Sequence, residues 1–176
     1  VARWLILLLA VVLGGVAIFL LTRPGMPPGP LPDDPDQLFL YSIDGKHSTS
    51  KTPEEAKIAE GWPVVGHLYD HQVLGKVEVT NCRQVREVLA AVRRSIWKPP
   101  ERGANCFWPR HVVRVVKGGE TIDMVICFEC SRYEVYREGK RTTETTQLLS
   151  RDDESLFDKL LSDAGIPLAK MPWDMR

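Results

Sequence analysis

HVVRVVK (residues 111–117), Gly118-Gly119 and ETIDMVICFEC (120–130) set two β-rich runs on either side of a diglycine, and this stretch decides the fold. Two glycines supply the positive φ that a two-residue hairpin turn demands. With them as the turn, Lys117 faces Glu120, and the pairing runs back through Arg114 opposite Asp123 to His111 opposite Ile126. The Arg114–Asp123 pair joins opposite charges across the strands and supports this register. Continued past the strand ends, the register sets Arg110 opposite Cys127 and Phe107 opposite Cys130. Cys106, His111, Cys127 and Cys130 are thereby drawn to one end of the hairpin.

Outward from the hairpin, SRYEVYRE (131–138) extends the sheet after a break, and LFLYSI (38–43) and VLGKVEV (73–79) read as further strands. Residues 46–72 are polar and irregular. Thr52-Pro53-Glu54-Glu55 can open a short helix, and GHLYDHQ (66–72) reads as loop, so His67 and His71 are not paired ligands. A helix is expected from Cys82 to about Ile96, capped by Thr80 or Asn81 and stopped by Lys98-Pro99-Pro100. Cys82, Val85, Leu89, Val92 and Ile96 recur at helical spacing, which makes Cys82 a core residue. A second helix is expected over 152–164, with Ser150 and Asp153 as a capping-box variant and Gly165 and Pro167 as the stop.

Trp4–Leu21, WLILLLAVVLGGVAIFLL, is an apolar run of eighteen residues without a charge. As a helix it would span roughly 27 Å, close to a hydrocarbon core of ~30 Å. It is longer than the apolar core of a cleaved signal peptide, and it has no polar face to show to water. TRPGMPPGPLPDDPDQ (22–37) follows, with six prolines between Pro24 and Pro35. Proline fixes φ and lacks the amide donor, so an extended spacer is expected. The expected organisation is a transmembrane anchor (1–22), a proline-rich linker (23–37) and one globular domain (38–176). The fold class is α+β: an N-terminal transmembrane helix followed by a mainly antiparallel sheet covered by two helices. Arg3 before the span and the few basic residues after it favour a single-pass protein with its domain on the exocytoplasmic side. The chain opens on Val1, and residues upstream would alter that count.

Lys and Arg total 23, as do Asp and Glu, with no long run of one sign. That balance excludes an electrostatic footprint for nucleic acid. The expected partner is the membrane, through residues 4–21.

The chemistry rests on Cys106, His111, Cys127 and Cys130. Thiolate and imidazole suit zinc's tetrahedral preference, so these four are a candidate metal set. Against this, residues three apart on a strand point to opposite faces, so Cys127 and Cys130 converge only if the strand ends in a knuckle or bulge. A second reading is thiol redox chemistry or catalysis by Cys127 and Cys130, with Arg110 and His111 in support. A third is plain core packing or disulfide formation. Arg110 also has a structural reading, its guanidinium forking onto Glu129 or a backbone carbonyl.

The segments CFWPRH (106–111), ICFEC (126–130), VLGKVEV and the TTETTQ…FDKLL…AGIPL tail resemble an uncharacterised bacterial family with a C-F-x-P-R-H…I-C-F-E-C double motif. The resemblance covers about residues 70–168. It implies an envelope or lipid-anchored setting and no established activity. Val112 stands where that family has glycine. Together these features describe a membrane-anchored, non-enzymatic module with a structural or zinc-binding Cys/His cluster; the alternative is a thiol-dependent redox protein or enzyme built on the CFEC pair.

Overall fold

The computed structural model describes residues 29–45, 66–142 and 146–170. Among them are eight strands: β1 (Gln37–Asp44), β2 (Gly66–Leu68), β3 (His71–Glu78), β4 (His111–Lys117), β5 (Glu120–Cys127), β6 (Arg132–Arg137), β7 (Lys140–Arg141) and β8 (Gln147–Leu148). Two helices accompany them, α1 (Cys82–Trp97) and α2 (Glu154–Asp163). The strands form one antiparallel sheet in the order β2-β3-β1-β4-β5-β6-β7, with β8 also paired to β6.

The β4–β5 hairpin has the register its sequence predicts. Lys117 pairs with Glu120, Arg114 with Asp123 and His111 with Ile126. Gly118 and Gly119 take φ of 58° and 85°, the left-handed region that the turn needs and that a β-carbon disfavours. GHLYDHQ, read as loop, is a second hairpin, β2–β3. Its turn residues Tyr69 and Asp70 adopt positive φ (52° and 65°) without a glycine to advertise them. Tertiary contacts hold Tyr69 there: its ring stacks on Tyr136 at 3.7 Å, and its hydroxyl donates to Asp123.

Period-two alternation splits the sheet's side chains between two cores. Leu38, Leu40, Val113, Val115, Ile122, Met124, Ile126 and Val135 face the side covered by Val88, Leu89 and Val92 of α1 and by Phe157 and Leu161 of α2. Tyr41, Ile43, Val73, Val112 and Val125 make a smaller cluster on the other face. α1 begins as its sequence dictates, with the Asn81 side chain accepting from the Arg83 and Gln84 N–H groups. α2 does not use the expected capping box. Ser150 Oγ accepts from Asp152 N, while the Asp153 carboxylate is drawn away by Arg94 (2.6 Å) and Ser95 (3.3 Å) of α1. A contact between helices has replaced a local cap.

Three expectations are corrected. The described residues form a sheet-dominated half-barrel with two short helices, and the expected N-terminal transmembrane helix is not found among them. Among the described residues no helix is long and apolar enough to cross a membrane. α1 has only 16 residues and carries four arginines and a glutamate, and α2 has only 10. Trp4–Leu21, on which the anchor rested, lies outside the described residues, as does Thr52–Glu55. The single-pass membrane location with an exocytoplasmic domain is accordingly not supported. Finally, Cys82 is exposed, because it is the first residue of α1 and the buried face begins only at Val88.

Residues 29–36, within the stretch read as spacer, pack on the domain. Leu31 is buried in the main core, Asp33 pairs with Arg93 at 2.9 Å, and Asp36 accepts from Gly118 N at 2.7 Å.

Candidate functional site

β5 ends at Cys127, and Phe128–Ser131 reverse the chain into β6. Ser131 N–H donates to Phe128 O at 2.9 Å, and Ser131 takes a φ of 52°. This tight turn is the knuckle that the C-x-x-C spacing requires. It folds Cys130 back onto Cys127, and the two are joined in a disulfide with Cα atoms 5.2 Å apart. Phe128 anchors the turn in the core, 5.2 Å from the Phe157 ring.

A third sulfur joins this pair. Cys106 lies on the loop between α1 and β4, with its Sγ 3.1 Å from Cys130 Sγ. That loop is stitched to the turn: Ala104 N donates to Cys130 O at 3.0 Å, and Arg132 Nε donates to Ala104 O at 2.6 Å. Gly103 permits the approach, since a β-carbon there would sit 2.8 Å from Cys130 O. Two backbone N–H groups address the sulfurs, Trp108 N to Cys130 Sγ (3.5 Å) and Cys130 N to Cys127 Sγ (3.2 Å). Cys127 and Cys130 are fully buried, whereas Cys106 is partly exposed.

The zinc set is corrected by this geometry. Cys127 and Cys130 are consumed in their own disulfide. His111 belongs to the opposite face of the sheet from Cys127, because its cross-strand partner is Ile126 and alternation sends the next residue the other way. Its ring packs edge-on against Phe128 and Phe157, and Nε2 is hydrogen-bonded to Asp158 Oδ1 at 2.8 Å. Among the described residues no three Cys, His, Asp or Glu side chains are gathered as metal ligands. The hairpin brings three of the four predicted residues together and turns the fourth away.

Beside the cysteines lies a buried charge cluster. Arg110 Nη2 contacts Glu129 Oε1 at 2.7 Å and Glu154 Oε1 at 2.8 Å, and Nη1 donates to Ala169 O at 3.3 Å. The fork onto Glu129 and onto a backbone carbonyl are therefore both present. Glu129 comes from inside the C-x-x-C turn, and Glu154 and Asp158 stand four apart on α2. Arg110 and His111 thus tie the turn and α2 to the start of β4. Glu129 is only 10% exposed, and burial pushes its carboxyl up to about 7. Arg110 pulls the other way but is shared with Glu154, whose carboxylate repels Glu129 and hydrogen-bonds with it. Asp158 moves downward: the His111 hydrogen bond and the charges of His111 and Arg110 outweigh its desolvation.

A raised carboxyl has a definite consequence for stability. Between about pH 4.5 and 7 the folded chain holds a proton on Glu129 that the unfolded chain releases. Stability from this group is complete below the unfolded value and is lost as pH rises through about 7. Urea unfolding of Glu129→Gln should therefore show a flatter profile than wild type across that window, where one proton contributes a slope of at most ~1.4 kcal/mol per pH unit. An unchanged slope would remove Glu129 as its source.

Of the three acids only Glu129 was singled out from the sequence, as a partner for Arg110; Glu154 and Asp158 were not, because no local pattern sets them apart from other residues of an amphipathic helix. Cys106 was grouped with metal ligands and not with the redox pair, because its approach to Cys130 depends on the path of a 13-residue loop (98–110). His67 and His71 lie on β2 and β3 without pairing to each other.

Compared with known proteins, the chain matches no family model, no curated protein and no solved structure. The double motif's resemblance thus assigns no activity, and function has to be argued from the geometry alone.

Proposed function

We propose that this protein is a thiol–disulfide exchange module built on three cysteines. Cys106 is its accessible thiol, Cys130 its shared central sulfur and Cys127 the sulfur displaced. The observation that carries this reading is the 3.1 Å separation of the free Cys106 Sγ from a disulfide-bonded Cys130 Sγ. Exchange requires a thiolate to reach a disulfide sulfur and expel the other. Here Cys106 gives up its proton and attacks Cys130, the Cys127–Cys130 bond breaks, and a Cys106–Cys130 bond forms. Cys127 leaves as thiolate and takes up a proton. Its leaving is assisted by the Cys130 N–H already aimed at its sulfur, since donors to an anionic acceptor are about twice as strong as donors to a neutral one. The rearranged disulfide contains the one partly exposed sulfur of the three. An external dithiol attacking Cys106 would leave Cys106 and Cys130 reduced and depart as its own disulfide.

Complete burial of Cys127 and Cys130 favours a second reading, a static bridge that only braces the turn. Acid-quenched alkylation followed by peptide mapping separates the two. In equilibrium with a glutathione buffer, exchange predicts two populations, alkylated at Cys106 or at Cys127, with Cys130 bridged in both. Cys127→Ser should form the Cys106–Cys130 bond. If wild type shows only Cys127–Cys130, and Cys127→Ser leaves Cys106 and Cys130 both alkylatable under oxidised glutathione, the static brace stands and exchange is excluded.

A further inference from the structure

The exchange reading makes no use of the register pair Arg114–Asp123, farther along the β4–β5 hairpin from the cysteines. Asp123 is fully buried and accepts from Arg114 Nε and Nη2, both at 2.7 Å, and from the Tyr69 hydroxyl. Arg114 Nη1 donates to the Tyr41 hydroxyl at 3.2 Å. The guanidinium is thus held at three nitrogens in one orientation. These bonds use three of its five N–H groups, so two remain to donate.

Beside it is a cavity of about 500 Å³, a size typical of small-molecule sites. Its polar lining is of one kind. Arg114, Lys76 and His67 border it with the Tyr41 hydroxyl, and none of the described lining residues is acidic. Among the described residues no carboxylate pairs with Lys76, whose ammonium lies 5.7 Å from the Phe39 ring centroid. Leu68, Val73 and Ile166 supply an apolar wall. The charge of Asp123 is turned away from this space, fully engaged by Arg114 and Tyr69.

We propose that this cavity is a binding site for a small organic anion, a carboxylate carried on an apolar chain. The carboxylate would accept from the remaining Arg114 N–H groups and from Lys76, and charge-assisted bonds of this kind offset its desolvation. The chain would lie against Leu68 and Val73. Rigidity matters to the assignment: because Asp123 and Tyr41 already orient the guanidinium, the ligand does not bear the cost of ordering it.

Isothermal titration of the full chain with octanoate tests this, with octan-1-ol and octylamine as chain-matched probes and acetate as the charge-only probe. Octanoate should bind at least ~10-fold more tightly than each of the three, a difference of ~1.4 kcal/mol. Lys76→Glu and His67→Glu alter exposed side chains outside both cores and should each weaken octanoate by a similar factor, with near-UV circular dichroism unchanged. Arg114→Met should abolish binding, but it disturbs a buried pair, so the two surface variants decide. Equal binding of octanoate and octan-1-ol would overturn the proposal, as would octanoate binding that both surface variants leave intact, or none at all.

Discussion

Replacing Arg110 by alanine should cost ~3–5 kcal/mol of stability, a large part of the ~5–15 kcal/mol available to a domain of this size. Among the described residues the guanidinium is the one cation in contact with both Glu129 and Glu154, and its side chain is only 12% exposed. Its loss leaves two carboxylates facing each other in a poorly solvated space, and it also frees the carbonyl of Ala169. The cost should grow with pH. At pH 5 the two acids can share a proton and relieve the repulsion; at pH 8 they cannot. Urea midpoints of Arg110→Ala at the two pH values should therefore differ by more than those of wild type. Adding Glu129→Gln to Arg110→Ala should recover part of the loss, a coupling that a double-mutant cycle measures. Arg110→Lys should restore little, because an ammonium cannot reproduce a planar fork shared among three acceptors. Destabilisation below ~1 kcal/mol at pH 8 would show that water, not the protein, compensates these carboxylates.

Asp123→Ala should have a comparable effect, again ~3–5 kcal/mol, by the same mechanism with the charges reversed. The carboxylate is fully buried and satisfies Arg114 twice and Tyr69 once. Without it, a half-buried guanidinium loses its counter-ion and the Tyr69 hydroxyl loses its acceptor. The β2–β3 turn should then loosen, since Tyr69 sits at positive φ and is held there by that hydrogen bond and by its stack on Tyr136. Replacing both partners, as Arg114→Met with Asp123→Leu, should come far closer to wild type than either single change. Breaking a buried pair strands a charge, whereas removing it wholesale leaves apolar groups of similar volume. Thermal unfolding of the two singles and the double checks this. A double variant no more stable than Asp123→Ala would mean that the hydrogen-bond network, not the stranded charge, dominates.

The positions that could be read directly from the sequence are those governed by local rules. A diglycine between β-rich runs sets the β4–β5 register, and alternation then assigns each side chain to a face. Asn81 caps α1 because its short side chain reaches the N–H groups two and three residues on, those of Arg83 and Gln84. The β2–β3 hairpin was missed because its turn is Tyr69-Asp70, with no glycine, and tertiary bonds keep it in place. The capping box of α2 failed for a related reason: Arg94 and Ser95 compete for Asp153 more strongly than a local amide does.

At the candidate site, local rules brought Cys106, Cys127 and Cys130 to one end of the hairpin but left their chemistry open. Alternation even placed the difficulty correctly, since two cysteines three apart meet only through a turn. That the turn forms, and that it presents Cys130 to Cys106 across 24 residues of sequence, depends on how the 98–110 loop packs. The Arg110–Glu154 and His111–Asp158 contacts span 44 and 47 residues and exist only because α2 lies over that end of the sheet. By itself, then, the sequence determined the longer strands, the β4–β5 register and the face each residue of that hairpin occupies, because these follow from backbone geometry within a hairpin. Only the tertiary structure decided that His111 is hydrogen-bonded to Asp158 of α2, and that the Cys106 sulfur stands 3.1 Å from that of Cys130. Those outcomes rest on distances between elements, which no local periodicity encodes.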